Sequence, residues 1–163
     1  MNEEAAQANT ASTPPPKLAG RLLRLVAVII DGLIGIAFVL PIYWYFHVWE
    51  DVKAGVQPPL RVKALIWIVG FATFVAINYR LLEKRGQTIG KCCMSVAIVD
   101  LDGANIGAAR IITYRFVPAA VVSLAPIIGP LFSLADILAI FGEQRRCIHD
   151  RIAGTKVIDL ARD

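Results

Sequence analysis

Residues 21–40 read RLLRLVAVIIDGLIGIAFVL, an apolar run with an arginine near its start and an aspartate inside it. Few folds accept that combination. A charged side chain near the centre of a bilayer costs roughly 2.5–3.5 kcal/mol, so it must face protein or a water-filled cavity. On a helix Arg24 and Asp31, seven residues apart, share one face with Gly20, Ala27 and Gly35. The other faces carry Leu, Ile, Val and Phe. The run is therefore expected to cross the membrane with one small, polar side on protein and the remaining sides on lipid.

Composition supports this reading. Hydrophobic residues make up 56% of the 163-residue chain, against roughly 45–50% in soluble domains, and the mean hydropathy is +0.60. The surplus lies in long runs rather than amphipathic periods, which is the pattern of a membrane protein. The first span is expected over 22–46, ending in an interfacial aromatic belt at Tyr43, Trp44, Tyr45, Phe46 and Trp49, with Pro41 bending its last turn. The second is expected over 60–82. Its Asn78 and Thr73 are able to hydrogen-bond to neighbouring helices. Residues 1–17 are polar, contain Pro14-Pro15-Pro16 and have no apolar period, so a disordered cytoplasmic tail is expected and not a signal peptide. Residues 18–159 then form one transmembrane domain, followed by a short tail at 160–163.

After the second span the chain changes character. Gly86-Gln-Thr-Ile-Gly90-Lys91 is one residue short of a phosphate loop, and Cys92 replaces its Ser or Thr, so no nucleotide site is expected. The β-rich stretch from Met94 to Leu101, with a turn signal at Asp102-Gly103, is echoed by Thr155 to Leu160, and these two stretches are expected to pair as a small cytoplasmic sheet. The last apolar region, 104–142, is broken by Pro118, Pro126 and Gly129-Pro130, as a kinked span or a helical hairpin with its break at Pro126–Pro130. Charge decides in favour of the hairpin. With it, all of the 17 Lys and Arg residues except Lys53, Arg61 and Lys63 lie on one side, in keeping with the positive-inside bias. Both termini are then cytoplasmic. The expected fold is an all-α membrane protein, a small transmembrane helical bundle of two spans and a Pro-broken helical hairpin, with a small cytoplasmic β pairing.

Asp136 lies in the last apolar region and joins Asp31 as a carboxylate at membrane depth. Side chains on a helix lean toward its N-terminus, and the axial rise from Arg24 to Asp31 is about 10.5 Å. Asp31 is therefore expected to pair with an arginine of another helix, Arg115 first, with Arg110 behind it. Two readings stand: Asp31 and Asp136 bind a cation or proton in turn, or they form fixed ion pairs that orient the helices. Cys92, Cys93 and Cys147 lack zinc-site spacing, although Cys147 and His149 are able to join them, and no metal is expected. No nucleophile–base pair or cofactor loop is present either, so neither an enzyme nor a cofactor is expected. The net charge of +4 is read as topology signal and lipid contact, not as a nucleic-acid surface.

Three stretches in order resemble the RDD family of bacterial membrane proteins, named for one arginine and two aspartates. They are Arg24 to Gly32; Gly86 to Lys91 with Ile98 to Gly103; and Arg145-Arg-Cys-Ile-His149-Asp150 to Val157. The resemblance implies that the family arginine is Arg24 and its first aspartate Asp31. It places the second aspartate at Asp150, with Asp136 as the other candidate. Asp150 is expected at the interface, bonded to Arg146, Arg85 or a backbone turn. The family's implied role is transport of an unidentified ligand across the bacterial inner membrane, with exchange of a monovalent cation for a proton, by an oligomer or with a partner membrane protein. The alternative from another class is a non-transporting adaptor that binds a partner protein through its cytoplasmic face.

Overall fold

A computed structural model describes residues 17–123, 125 and 128–161. The polar tail over 1–16 and the proposed break at Pro126 lie outside the described residues. The first apolar run forms helix α1, Arg21–Tyr45, which continues through Pro41. A short helix α2, Val48–Lys53, follows, with Trp49 on it. Helix α3, Leu60–Arg85, runs one turn beyond the expected end and stops where Gly86 takes a left-handed conformation, φ 61°. There the Gly86 and Gln87 N–H groups donate to the carbonyls of Leu82 and Leu81, which closes the last turn. Only glycine fits at position 86, because a Cβ would collide with the carbonyl oxygen of Ile98. Both α1 and α3 are long and apolar enough to cross a membrane.

Next come the short helix α4, Ile89–Cys93, and strand β1, Val96–Asp100. The broken apolar region follows as α5, Gly107–Ile111, a π-helical turn over Ile112–Phe116, and α6, Val117–Ser123. Proline lacks an N–H and crowds the preceding turn. Here the turn before Pro118 is widened, with the Val117 N–H donating to the Ile112 carbonyl, and the helix passes through the proline instead of ending at it. Helix α7, Ile128–Leu138, contains Pro130 in its first turn, where the missing N–H costs nothing, and tightens into a 3₁₀ turn over Ala139–Phe141. Helix α8, Ile148–Ile152, and strand β2, Thr155–Asp159, close the chain.

The two echoing stretches do pair. Strands β1 and β2 are antiparallel in the register Val96↔Asp159, Ile98↔Val157 and Asp100↔Thr155. Residues 17–19 join the other edge of β2, through Ala19 N–H to the Val157 carbonyl and Asp159 N–H to the Lys17 carbonyl, both 2.9 Å. The start of α1, the segment after α3 and the C-terminal strand therefore meet at one end of the molecule. The buried apolar core lies there, formed by Leu82, Val96, Ile98, Ile111 and Val157 with Ala19 and Ala108. Fully burying each large side chain stabilises the fold by roughly 1.5–3 kcal/mol. The long helices contribute little to this core: in α1 only Arg24 and Ala27 are buried, while Leu22, Leu33 and Ile36 are exposed.

Candidate functional site

The inner stripe of α1 carries two separate constellations. The first is built on Asp31. Residues 86–91 turn sharply after α3 and bring the N-terminus of α4 against α1, with Thr88 as the N-cap. A helix N-terminus presents unpaired N–H groups and a partial positive charge. Asp31 supplies the carboxylate: Gly90 N–H donates to Asp31 Oδ1 at 2.8 Å and Thr88 Oγ1 donates to Oδ2 at 2.5 Å. Thr88 Oγ1 in turn accepts from Lys91 N–H at 3.3 Å. Asn78 of α3 accepts from Ile89 N–H at 2.8 Å through Oδ1. The approach is so close that a Cβ at Gly90 would strike the Ala27 carbonyl and lie 2.9 Å from Asp31 Cγ. The stretch that resembles a phosphate loop does hold an anion, but the anion is the protein's own carboxylate.

The second constellation is a buried triad. Asp150 is fully buried, and its two oxygens are taken by two arginines: Oδ2 by Arg24 Nη2, and Oδ1 by Arg115 Nη1 at 2.5 Å. Arg24 and Arg115 are only 5% and 2% exposed, so all three members have left water together. Asp150 Oδ2 also accepts from Cys147 N–H at 3.1 Å, which caps α8. Arg24 donates besides to the Arg145 carbonyl and to Cys147 Sγ at 3.4 Å. Arg115 donates to Thr155 Oγ1 at 3.1 Å while its Nε stays buried without a partner. Burial alone would raise the pKa of Asp150, but Arg115 first, then His149 and Arg24, hold it down at about 2.

These placements correct several expectations. Arg115 meets Asp150 and not Asp31, because the π turn rotates it toward α8, whereas Asp31 faces α4. Of the partners expected for the Asp150 carboxylate, the backbone turn is the one it meets, through the Cys147 N–H, and it bonds neither Arg146 nor Arg85 among the described residues. Arg146 instead donates to the backbone carbonyls of Thr155 and Asp150, at 2.9 and 3.2 Å. Arg110 is exposed on α5 and makes no ion pair with an aspartate among the described residues. Asp136 and Asp31 share no partner among the described residues. Asp136 on α7 is held by His149, whose backbone N–H donates to Oδ1 at 2.9 Å and whose Nδ1 lies 2.5 Å from Oδ2. The other ring nitrogen of His149 is 3.6 Å from Asp150 Oδ1. Burial, helped by the charge of Arg115, lowers the pKa of His149 against the pull of Asp136.

Between α1, α4, the π turn and α7 lies a cavity of about 650 Å³. Its polar lining includes Lys91, Asp31, Asp136, His149, Arg24 and Arg115, and its walls are apolar. Donor atoms of Asp136, Cys147 and His149 lie within 4.8 Å of one another, a spacing a metal ion is able to bridge. The surroundings oppose a cation there: Arg24 and Arg115 stand beside the group, His149 and Asp136 are bonded to each other, and burial raises the Cys147 thiol to about 11. Thr88, Gly90 and Lys91 are the site residues that sequence reasoning passed over. The available signal was a threonine placed to cap a short helix, read only against a nucleotide motif.

No curated protein and no solved structure matches the chain. The model of the RDD family matches residues 18–154, a stretch containing both α1 and the Asp150 triad. With its two long apolar helices the chain is a membrane protein, and it belongs to the RDD family.

Proposed function

We propose that the protein is a multi-pass transporter of the bacterial inner membrane, with both termini cytoplasmic, that couples the passage of a small solute to a proton. The observation that carries this reading is the cavity at the inner ends of α1 and α7, with the titratable pair Asp136 and His149 on its lining. Asp31 is committed to α4 and Asp150 to two arginines. The carboxylate left to exchange a proton is Asp136, half-buried on its cavity-lining helix, with His149 as its partner. Arg24, Lys91 and Arg115 on the same lining make a solute with an acidic group a better cargo than a free cation. Residues 107–123 and 128–141 would reach roughly 25 and 20 Å at 1.5 Å per residue, short of a hydrocarbon layer of about 30 Å. Their length supports a re-entrant pair of helices on the cytoplasmic side. An oligomer is supported by Gly32 and Gly35 on α1, where open space would receive a neighbouring helix.

Reconstitution in liposomes under an imposed pH gradient tests the proposal. Uptake of an organic anion or a cation should depend on the gradient and disappear in Asp136→Asn, with the fold kept. Uptake of neither, or uptake unchanged in that variant, refutes it and leaves the non-transporting adaptor as the better reading.

A further inference from the structure

Among the described residues, Lys91 Nζ makes no hydrogen bond and no ion pair, although Lys91 is only 6% exposed. Every charged neighbour on the cavity lining is already engaged. Asp31 is held by Thr88 and Gly90, Asp136 by His149, Arg24 by Asp150, and Arg115 by Asp150 and Thr155. An ammonium on a largely buried side chain that opens only into this cavity is costly to leave without a partner, and an anion in the cavity would complete it. Burial, reinforced by Arg115, lowers the pKa of Lys91 to about 8, which still leaves the group mostly protonated at neutral pH. Beyond the polar groups, the walls of the cavity are hydrocarbon, formed by Leu22, Leu25, Val28, Ile137 and Phe141. These side chains are 45–71% exposed in the isolated chain, and in a bilayer they face acyl chains. Arg21 marks the rim, donating to the Ile140 and Phe141 carbonyls at 3.3 and 3.2 Å.

Resting on the reading of this cavity as the ligand site, we infer that its ligand is an anionic phospholipid of the inner leaflet, phosphate on Lys91 and acyl chain along α1 and α7. Three properties select that class. The floor offers one free positive charge, the walls offer hydrocarbon contact, and the opening lies between lipid-facing helices at the end where the cytoplasmic sheet assembles. Basic pockets between membrane helices on the cytoplasmic side suit acidic lipid headgroups for the same reasons. The volume of about 650 Å³ accommodates a headgroup and the upper part of a chain, within the usual range for ligand pockets of roughly 300–1,000 Å³.

The test uses the full chain purified in neutral detergent. Phosphatidylglycerol, phosphatidylcholine and soluble glycerol phosphate are titrated in turn, with bound lipid read by native mass spectrometry and thermal unfolding followed in parallel. Phosphatidylglycerol should bind at one molecule per chain and raise the unfolding temperature. Lys91→Met should weaken it roughly ten- to a hundredfold, the loss expected for one charge-assisted contact. That variant loses an unpartnered buried charge, so it should fold at least as stably as the parent, and Lys91→Gln provides a second, polar check. Equal binding of phosphatidylcholine, or phosphatidylglycerol binding unchanged in both variants, overturns the inference. Binding of glycerol phosphate without the lipid overturns the lipid but keeps the cavity as an anion site. Binding of none of the three overturns both.

Discussion

Replacing Asp150 with asparagine should be among the most damaging isosteric changes available to this protein. The substitution keeps the volume and leaves an oxygen for the Cys147 N–H, so its effect is almost purely electrostatic. Asp150 is fully buried between Arg24 and Arg115. Without the carboxylate two buried guanidinium groups are left with nothing between them to balance their charge, and like charges about 4 Å apart repel by about 4 kcal/mol at an effective dielectric constant of about 20. Removing one member of a buried ion pair costs roughly 3–5 kcal/mol in general, and both estimates agree. Thermal or denaturant unfolding in detergent micelles would read this as a fall in midpoint of roughly 10 °C. The order of costs is the sharper check. Arg115→Met leaves the Arg24–Asp150 pair balanced and removes a buried Nε that has no partner, so it should cost clearly less than Asp150→Asn. The double variant should recover part of the Asp150→Asn loss. An Asp150→Asn variant within about 1 kcal/mol of the parent, or one no worse than Arg115→Met, would refute the balance of charges described here.

The remaining expectations concern acid and the helix contact. Asp150 has its pKa depressed to about 2 in the folded chain, so its contribution is complete above its unfolded value near pH 4 and is lost as pH falls toward 2. Acid titration of stability should show a loss of roughly 2–3 kcal/mol across that window, absent in Asp150→Asn. Gly90→Ala should destabilise by roughly 1–3 kcal/mol or more, the cost of overpacking, because its Cβ meets the Ala27 carbonyl; thermal unfolding in detergent reads the loss.

Much of the scaffold was legible in the residues alone, because the forces that build it are local or come from the solvent. Lipid demands long apolar runs, which gave both long helices to within a turn. A left-handed glycine after Leu-Glu-Lys-Arg ends α3, and the richness in β-branched residues over 96–100 and 155–159 marks two strands. The stripe on α1 was also visible, since seven residues return a helix to the same face. What periodicity does not encode is which neighbour meets that face. Asp31 is bonded 57 and 59 residues away, and Arg24 reaches Asp150 126 residues on. The π turn before Pro118 inserts a residue into the helical count and turns Arg115 toward α8, where a regular helix would have pointed it elsewhere. Tertiary structure alone therefore decided that the two aspartates serve different elements, one capping α4 and one neutralising two arginines, and that Lys91 Nζ finds no partner among the described residues. Desolvation is the physical reason: charges withdrawn from water bond whatever the fold places within reach, and that choice is made by the packing of distant segments, not by spacing along any one of them.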